Sequence, residues 1–549
     1  MGKKWDADAD DFKDTWSQTI DEYNRNYGDE SKDRKREKKR LKYQKHNQQK
    51  QQMEQELEDK TQKNKHIKYT IGKIMAIIQG LLSIAVLGLL IILNMFPISY
   101  ILIATAALLL LWLFAFFSQF LKKTHIVGKV ETVLVSAILI VGSYYLLITN
   151  NLLGTITGID YRVDNVAVVV LKDNPAQSLT DAIDYSFEIH EVLGLDSVNS
   201  TISEIDESLG TNIKIVTSTS FDTMAEDLYS GKVDALIYNM AWESTLEEMH
   251  EGFAENVRIL KNTEVVTEQT LSDDNISNKT ITTEPFTVYI SGNDEYGSIA
   301  ATGRSDVNIM VSVNPETRQI LMITTPRDSY LIFADNVTYG TEDKLTHAGT
   351  FGIDVQMSTM GDLYDIDIDY YARVNFTSLI NIVEALNGVE VYSEYSFTAV
   401  DGKSFKKGYN ALNGSAALMF SRERKAFVDG DFQRGKNQQA VLTAIIKKAL
   451  SPTILTSYAS LIGSLEGNLD TSMTQSDIAS LVKMQLNDGS AWNIVSLGAE
   501  GTTGSEYCYS NGSYASIVML DEDSIDNIKE HIQRLYDGEI LETGTAIEE

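Results

Sequence analysis

Residues 307–326, VNIMVSVNPETRQILMITTP, contain two runs of β-branched and aliphatic side chains separated by the sequence PETR. Each run is typical of a buried β-strand. A similar run, PFTVYISG, precedes them at residues 285–292, and an amphipathic helical pattern follows at residues 375–386. Two strand patterns and a closing helix come later, at residues 493–498, 515–520 and 524–536. This alternation predicts a mixed α/β sandwich over residues 285–540, followed by an acidic tail at residues 541–549.

A smaller α/β unit is predicted over residues 151–261, upstream of the sandwich. Its strand patterns lie at residues 166–171, 213–218 and 236–239, and its helical patterns at residues 179–193 and 223–229. No catalytic constellation stands out here, so we interpret this unit as an accessory domain. Residues 262–284 contain no aromatic residue and many Thr, Ser, Asn and Asp, which is typical of a linker.

The region of residues 71–150 contains three apolar runs, at residues 74–96, 98–121 and 126–148. Each is long enough for a transmembrane helix, which needs about 20 residues. Lysines precede the first run and Lys122 and Lys123 follow the second, whereas the turn between these runs carries no charge. The positive-inside rule therefore predicts a multi-pass cell-membrane protein with a cytoplasmic N-terminus and residues from about 150 onward outside.

Charge is distributed unevenly along the chain, whose formal net charge is −30. Residues 1–70 form a polar, basic cytoplasmic tail; a solvated helical or disordered arm that contacts anionic lipid is favoured, with a nucleic-acid-binding tail as the alternative. Residues 151–549 carry 61 acidic and 25 basic side chains. Such a surface repels the phosphate backbone, so we expect no nucleic acid as a partner.

An island of positive charge interrupts this acidic region, because residues 401–450 hold ten of its 25 basic side chains. Clustered guanidinium groups are favourable where an anion binds, and their planar donors match phosphate oxygens. The candidate arginines are Arg422, Arg424 and Arg434, with Arg304 and Arg327 upstream. Surface arginines that pair with Glu423, Asp429 and Asp431 are the alternative.

Two aspartates are candidate metal ligands. Asp294 follows the strand pattern at residues 285–292, and Asp306 precedes the next one. If these strands are neighbours in a sheet, both carboxylates lie at the same end. One or two carboxylates plus substrate phosphate oxygens are a typical Mg²⁺ site, although loop aspartates are also common turn formers.

Other catalytic mechanisms lack their residues in this sequence. It has no Gly-x-x-x-x-Gly-Lys-Ser/Thr loop and no Gly-x-Ser-x-Gly elbow. The single cysteine, Cys508, excludes an internal disulfide and a Cys-x-x-Cys metal motif. His347 and His531 are the only histidines of the C-terminal domain, which gives little support to an activated nucleophile. Arginines and a metal fit phosphoryl transfer.

An ordered series of motifs in the C-terminal domain resembles the LytR–CpsA–Psr domain. The motifs are ISGND at residues 290–294, GRSD at 303–306, VNIMVSVNPETRQILMITTPRD at 307–328, KLTHAG at 344–349, VNF at 374–376, GVEV at 388–391 and SRER at 421–424, followed by Asp431, Arg434 and Gln438. The three-helix anchor with an accessory domain is similar to the capsule-type members of Gram-positive cocci. The sequence departs from the family pattern at Thr325, where Ile or Val is usual, and at residues 345–347, where Leu-Thr-His replaces Ile-Asn-x; His347 leaves the local pocket shape open.

The resemblance implies an extracytoplasmic phosphotransferase that depends on Mg²⁺ or Mn²⁺. It would attach a glycopolymer, with capsular polysaccharide favoured, from an undecaprenyl-pyrophosphate carrier to a peptidoglycan hydroxyl. By the same resemblance, Asp294 and Asp306 hold the metal, and the prenyl tail lies in an apolar tunnel. The residues implied around the pyrophosphate are Arg304, Arg327, Arg422, Arg424, Arg434 and Gln438. Arg327, Asp306 and Arg422 would be catalytic.

Expected partners are the lipid-linked glycan, peptidoglycan, membrane lipid, and a capsule polymerase or kinase complex. Either Asp306 or Asp328 would accept the proton of the attacking hydroxyl. Two alternatives stay open: a lipid-pyrophosphate hydrolase that uses water with the same residues, and a membrane regulatory or binding protein of polysaccharide synthesis.

Overall fold

The computed structural model describes most of the chain between residues 30 and 542. Outside the described residues lie the two termini and the internal positions 122, 157–160, 269–278, 294–298, 300–302, 452–460, 462 and 466. The described residues belong to two compact units. One contains residues up to 84 and residues 106–140, and the other contains residues 85–105 and residues from 141 onward.

Three long N-terminal helices confirm the prediction from the apolar runs. They are α1 (Glu30–Leu93), α2 (Ile98–Ser118) and α3 (His125–Ile156). Their segments Ile67–Leu93, Ile98–Ser118 and His125–Gly154 are long and apolar enough to cross a membrane. α1 also includes the basic segment of the tail, so the arm is helical from Glu30 onward.

Polar side chains join these helices within the first unit. Gln79 of α1 donates a hydrogen bond to Glu131 of α3 (3.2 Å), and the indole of Trp112 on α2 donates to the carbonyl oxygen of Ala76 (3.0 Å). Because lipid offers no hydrogen-bond partners, such bonds between helices hold an apolar bundle together.

The accessory domain contains a five-stranded sheet with helices. Its elements are β1 (Tyr161–Leu171), β2 (Ser186–His190), α4 (Leu195–Leu209), β3 (Lys214–Ser218), α5 (Phe221–Ser230), β4 (Ala235–Asn239), α6 (Glu243–Met249), α7 (Phe253–Asn256) and β5 (Val257–Glu268). The strand order is β3-β2-β4-β1-β5. Alternate residues of β1 pack into two separate apolar cores, so this strand is buried on both faces.

Two predictions for this domain are wrong. The helix predicted over residues 179–193 is replaced in part by β2, which is buried along its whole length between β3 and β4. β2 has the sequence SFEIH, and five residues are too short a window for its alternation of polar and apolar residues to outweigh a helical pattern. Residues 262–268, predicted as linker, extend β5, because their backbone pairs with that of residues 161–167 in β1.

The C-terminal domain contains a six-stranded mixed sheet with helices on both faces. Its elements are β6 (Phe286–Gly292), β7 (Val307–Asn314), β8 (Gln319–Thr324), β9 (Tyr330–Ile332), β10 (Glu342–Lys344), α8 (Leu345–Phe351), α9 (Ile353–Tyr364), β11 (Tyr370–Val374), α10 (Phe376–Ala385), β12 (Val389–Ser393), β13 (Phe397–Thr398), β14 (Ser404–Phe405), β15 (Gly408–Leu412), α11 (Gly414–Arg422), α12 (Gly430–Ala449), β16 (Asp470–Thr471), α13 (Gln475–Asp488), β17 (Asn493–Gly498), β18 (Gly501–Cys508), β19 (Ser513–Leu520) and α14 (Glu522–Tyr536). The sheet order is β16-β11-β6-β7-β8-β17, so the predicted mixed α/β sandwich is confirmed.

The direction of the strands positions the loops that matter below. β6 runs parallel to β11, β8 runs parallel to β17, and β7 is antiparallel to both of its neighbours. The carboxyl ends of β6, β8, β11 and β17 therefore lie at one edge of the sheet, together with the start of β7. Residues that follow those strands or precede β7 are brought to the same place although they are far apart in sequence.

α13 contacts the ends of the apolar helices that belong to the second unit. Lys483 donates to the side-chain oxygen of Asn94 (3.0 Å), and Gln475 donates to Asn150 (3.2 Å). Leu93 and Leu152 are buried in one apolar cluster with Ala479 of α13. The C-terminal domain is thus packed directly on the ends of these helices.

Candidate active site

A cavity of about 610 Å³ opens at the loop-bearing edge of the sheet. It collects the predicted side chains from four separate segments of the chain. Its lining includes Arg304, Asp306, Arg327, Arg422, Arg424, Arg434 and Gln438. Asp294, the second predicted metal ligand, lies outside the described residues. The structure therefore brings every other residue predicted to hold the metal or the phosphates to one cavity, whereas Asp328, the alternative proton acceptor, does not line it.

Helix α12 lines this cavity along its length. Arg434 and Gln438 are one helical turn apart and face the cavity near its cationic end. Val441, Leu442 and Ile445 follow on the same side at helical spacing. Since a helix rises 1.5 Å per residue, the lining changes from cationic to apolar within about 16 Å. The cavity is therefore shaped for an anion joined to an apolar chain.

Asp306 and Arg327 form the centre of the charged end. Arg327 Nη1 donates to Asp306 Oδ2 (2.5 Å), and Thr346 Oγ1 donates to Asp306 Oδ1 (3.1 Å). Burial raises the pKa of Asp306, but Arg327, Arg304 and Arg434 outweigh burial and lower that pKa below its usual value. Burial lowers the pKa of Arg327, but the surrounding carboxylates outweigh burial and raise that pKa above its usual value. Both Asp306 and Arg327 therefore stay charged.

The loop before β7 holds Arg304 in a buried position. The backbone N–H of Ser305 donates to the carbonyl oxygen of Thr346 (2.9 Å), and a Cβ at Gly349 of α8 would overlap the carbonyl oxygen of Gly303. Arg304 is only 7% exposed, and its Nε has no hydrogen-bond partner within the described part of the chain. A buried donor of this kind is costly unless a ligand accepts from it.

Arg422 also lines the cavity, at the end of α11. Its guanidinium is 4.3 Å from the ring centre of Phe376, the first residue of α10. Stacking on an aromatic face orients the planar donors while leaving them free to bind an anion in the plane. α10, predicted from its apolar face, also presents Leu379 and Ile382 to the cavity.

Glu248 of the accessory domain also lines the cavity, which the sequence did not reveal. Its carboxylate lies 2.9 Å from Lys344 Nζ and 3.5 Å from guanidinium nitrogens of Arg304 and Arg327. Burial raises the pKa of Glu248, but the charges of Lys344, Arg304 and Arg327 outweigh burial and lower it to about 2. No local pattern in α6 distinguishes Glu248 from an ordinary surface glutamate, because its partners come from another domain.

Sequence comparison assigns the domain that contains this cavity. The model of the LytR_cpsA_psr family matches residues 246–534, which is more than half of the chain. This chain belongs to the LytR–CpsA–Psr family. The match begins at α6, the helix that contributes Glu248, and the family resemblance of the motifs is thereby confirmed.

Relatives of this family member include proteins named as teichoic acid transferases. The polyisoprenyl-teichoic acid–peptidoglycan teichoic acid transferase TagU of Bacillus cereus (strain AH820) is 34% identical over 213 residues, which are 39% of this chain and 68% of TagU. TagU of Bacillus licheniformis is 34% identical over 196 residues, 36% of this chain and 62% of that protein. The crystal structure of B. subtilis TagU, 28% identical, aligns with 47% of this chain and 100% of that chain, with a TM-score of 0.37.

His347, a departure from the family pattern, faces away from this cavity. It is fully buried, its Nδ1 lies 2.8 Å from Asp343 Oδ1, and Asp343 Oδ2 accepts the backbone N–H of Ser510 (3.0 Å). Burial raises the pKa of Asp343, but His347 and these hydrogen bonds outweigh it and lower that pKa. His347 therefore joins α8 and β10 to the β18–β19 hairpin, and it is not among the residues that line the cavity.

Two side chains with oxygen atoms that could hold a divalent cation line the cavity of this family member. Among the described residues, no three His, Cys, Asp or Glu side chains are grouped to hold a metal. However, Asn293 Oδ1 is buried without a hydrogen-bond partner in the described part of the chain, and both Asn293 and Asp306 line the cavity. A carboxylate and an amide oxygen fit Mg²⁺ or Mn²⁺, which takes further oxygens from water and phosphate.

A second cavity of about 340 Å³ adjoins the first. The two share four lining residues, namely Asp306, Arg327, Arg434 and Gln438. The remaining lining of the second cavity combines polar and charged residues with a few apolar ones such as Phe432; its polar members include Thr324, Asp429, Asp431, Lys436 and Glu500. The family member therefore has two differently lined spaces that meet at one cationic cluster.

Proposed function

We propose that this protein transfers a glycopolymer from an undecaprenyl-pyrophosphate carrier to a hydroxyl of peptidoglycan, with capsular polysaccharide as the favoured polymer. One observation carries the proposal: the arginine cluster continues along α12 into an apolar groove lined by Val441, Leu442 and Ile445. A cationic surface that continues into an apolar groove matches a diphosphate attached to a prenyl chain. The names of the TagU relatives, which describe transfer of a polyisoprenyl-linked polymer to peptidoglycan, support the same reaction class.

The residues of the cavity would act mainly by positioning charge. Arg304 and Arg327 are buried donors that are fixed by the Ser305–Thr346 backbone hydrogen bond and by the ion pair with Asp306. Arg422, stacked on Phe376, lines the same cavity from α11. Preorganised donors of this kind neutralise charge that develops on a departing phosphate, and they need no reorganisation during the reaction.

Asp306 and Asn293, together with Asp294 outside the described residues, would hold the divalent cation. When bound, Mg²⁺ or Mn²⁺ supplies Lewis-acid stabilisation of the phosphate oxygens. Asp306 contributes a carboxylate that stays ionised, because Arg327, Arg304 and Arg434 lower its pKa.

We further propose that the three apolar helices anchor the protein with its N-terminus in the cytoplasm and the catalytic domain outside. A lipid-linked donor stays in the bilayer, so an anchored enzyme meets it at a raised effective concentration without new contacts. The contact of α13 with Asn94 and Asn150 supports a catalytic domain held close to the membrane surface.

The test is transfer by the purified full-length protein. A synthetic undecaprenyl-pyrophosphate oligosaccharide serves as donor and soluble peptidoglycan fragments as acceptor, with and without Mg²⁺. We expect the sugar phosphate to reach peptidoglycan and Arg327→Ala to reduce the rate by about 10²–10³, because the loss of one donor to a transferring phosphoryl group costs about 2–4 kcal/mol. Arg534→Ala, which removes a surface arginine paired with Glu539, is the matched control and should retain the wild-type rate.

Three outcomes separate the alternatives. Sugar phosphate found only in solvent would identify a hydrolase. No turnover by the wild-type protein, with and without the metal, would favour a regulatory or binding role. Wild-type rates in Arg327→Ala would show that the cavity is not the place of reaction.

A further inference from the structure

We propose that the second cavity binds the acceptor, a neutral polyhydroxyl glycan, and that Asp431 accepts the proton of the attacking hydroxyl. This inference rests on the proposed transferase function and extends it to the other substrate. It is derived from the way in which the two cavities meet, from the chemistry of their linings, and from the engagement of each nearby carboxylate.

The two cavities extend in opposite directions along α12. The residues of this helix that line only the first cavity are Val441, Leu442 and Ile445, and those that line only the second are numbered 431–433, 435, 436 and 439. Arg434 and Gln438 line both spaces. A diphosphate held at the shared cluster, with its prenyl chain along the apolar groove, therefore presents its other side to the second cavity.

Phosphoryl transfer places the attacking and the leaving oxygen roughly in line on opposite sides of phosphorus. The leaving group of the proposed reaction is the prenyl phosphate, which the first cavity would retain. The attacking hydroxyl must therefore approach from the other side, and the second cavity is the space that opens there.

The lining of the second cavity suits a glycan better than another anion. Carboxylates of Asp429, Asp431 and Glu500 accept hydrogen bonds from hydroxyl groups and repel phosphates. Thr324 Oγ1 is buried in this wall and has no hydrogen-bond partner within the described part of the chain. The wall is also rigid, since Gln439 Nε2 donates to the carbonyl oxygens of Met322 (3.2 Å) and Leu497 (2.6 Å).

Among the nearby carboxylates, Asp431 is the best placed to take the proton. Both oxygens of Asp306 are already engaged, by Arg327 and by Thr346. Asp328 lines neither of these two cavities and lies 3.4 Å from Arg327 Nε. Asp431 lines the second cavity, is largely buried, and is anchored by Arg434 at 2.5 Å. Burial also raises the pKa of its carboxyl group, an effect to which Asp328 and Asp306 add and which Arg434 and Arg327 oppose.

The atoms of the step balance without any further reactant. The acceptor hydroxyl oxygen forms a bond to the sugar-linked phosphorus, and the bond from that phosphorus to the bridging oxygen breaks. The bridging oxygen leaves with the undecaprenyl phosphate, and the hydroxyl proton passes to the Asp431 carboxylate.

The experiment fills the second cavity from two walls in the full-length protein. Lys436→Trp extends from α12 and Glu500→Trp from the turn after β17; both side chains are exposed, so folding should persist. The matched control is Lys447→Trp, an exposed lysine of the same helix that lines neither cavity. Two quantities are measured: binding of undecaprenyl phosphate, and kcat/KM for soluble peptidoglycan fragments with the synthetic lipid-linked donor.

We expect both filling variants to bind undecaprenyl phosphate like the wild type while kcat/KM for the acceptor falls by about 100-fold, since misplaced reactants lose much of the rate advantage of proximity. Asp431→Asn should lower kcat by about 10²–10⁴, the usual contribution of a general base, and leave acceptor KM nearly unchanged. Wild-type kcat/KM in both tryptophan variants, or loss of undecaprenyl phosphate binding in both, would overturn the inference. If the wild-type protein transfers nothing, the proposed function fails instead.

Discussion

At the level of single residues, the site combines cations that are held rigidly with one carboxylate from another domain. Arg304, Arg327 and Lys344 are all nearly buried, and each has a carboxylate of Glu248 within 3.5 Å. In the absence of an anionic ligand, this carboxylate reduces the mutual repulsion of the three cations. An incoming phosphate would compete with it for the same donors.

The substitution Glu248→Gln tests this competition. We expect tighter binding of undecaprenyl phosphate, because removal of the negative charge leaves the three cations without this counter-ion. A partly exposed ion pair of about 0.2–1 kcal/mol corresponds to a factor of about 1.4 to 5. Equilibrium binding is measured for the wild type, Glu248→Gln and Glu251→Gln, the last being an exposed acidic residue of the same domain.

Weaker binding in Glu248→Gln would mean that Glu248 instead positions the cations. The binding measurement can be made at any pH above the ordinary glutamate pKa. The pKa of Glu248 is lowered to about 2, so its ion pairs are fully formed above the ordinary glutamate pKa and are lost only as the pH falls towards 2.

At the level of elements, close packing of α8 against the loop before β7 fixes the position of Arg304. Gly349 of α8 allows this approach, since a Cβ would lie 2.7 Å from the backbone nitrogen of Ser305 and would overlap the carbonyl oxygen of Gly303. The contact is between backbones, so the loop must move if the glycine is replaced.

For Gly349→Ala we expect a destabilisation of about 1–3 kcal/mol from overpacking, together with weaker binding of undecaprenyl phosphate because Arg304 is displaced. Thermal unfolding and ligand binding are measured on the same preparation. Gly142→Ala is the control, as that helical glycine has no atom within 4 Å of an added Cβ. Unchanged stability and binding in Gly349→Ala would refute the close approach.

At the level of the whole molecule, the orientation in the membrane decides whether the catalytic domain meets its substrates. The lone Cys508 is buried, so the wild-type protein provides a low background for thiol labelling in intact cells. We expect a membrane-impermeant maleimide to label Ser203→Cys, an exposed position of the accessory domain, but not Gln55→Cys, an exposed position of α1.

Labelling after permeabilisation is the control for this experiment, since both cysteines should then react. The reverse pattern in intact cells, with Gln55→Cys labelled and Ser203→Cys protected, would invert the proposed topology and would separate the catalytic domain from peptidoglycan.

The sequence by itself predicts the helices that have a periodic or continuous apolar pattern, and it predicts the site residues that lie in a dense cluster of charge. The apolar runs predicted α1, α2 and α3, the amphipathic pattern predicted α10, and the arginine-rich segment predicted residues that do share a cavity. These features depend on near neighbours in sequence, because helix periodicity and the length of a membrane span are local properties.

The other elements and site residues are decided by tertiary contacts. β2 was mistaken for a helix because its burial comes from β3 and β4, and the extension of β5 into the predicted linker depends on its pairing with β1. Glu248 acquires its partners, and Asp431 its place beside the shared cluster, only when segments that are far apart in sequence converge at one edge of the sheet. Strand pairing and domain packing are long-range, so no local pattern encodes which side chains they bring together.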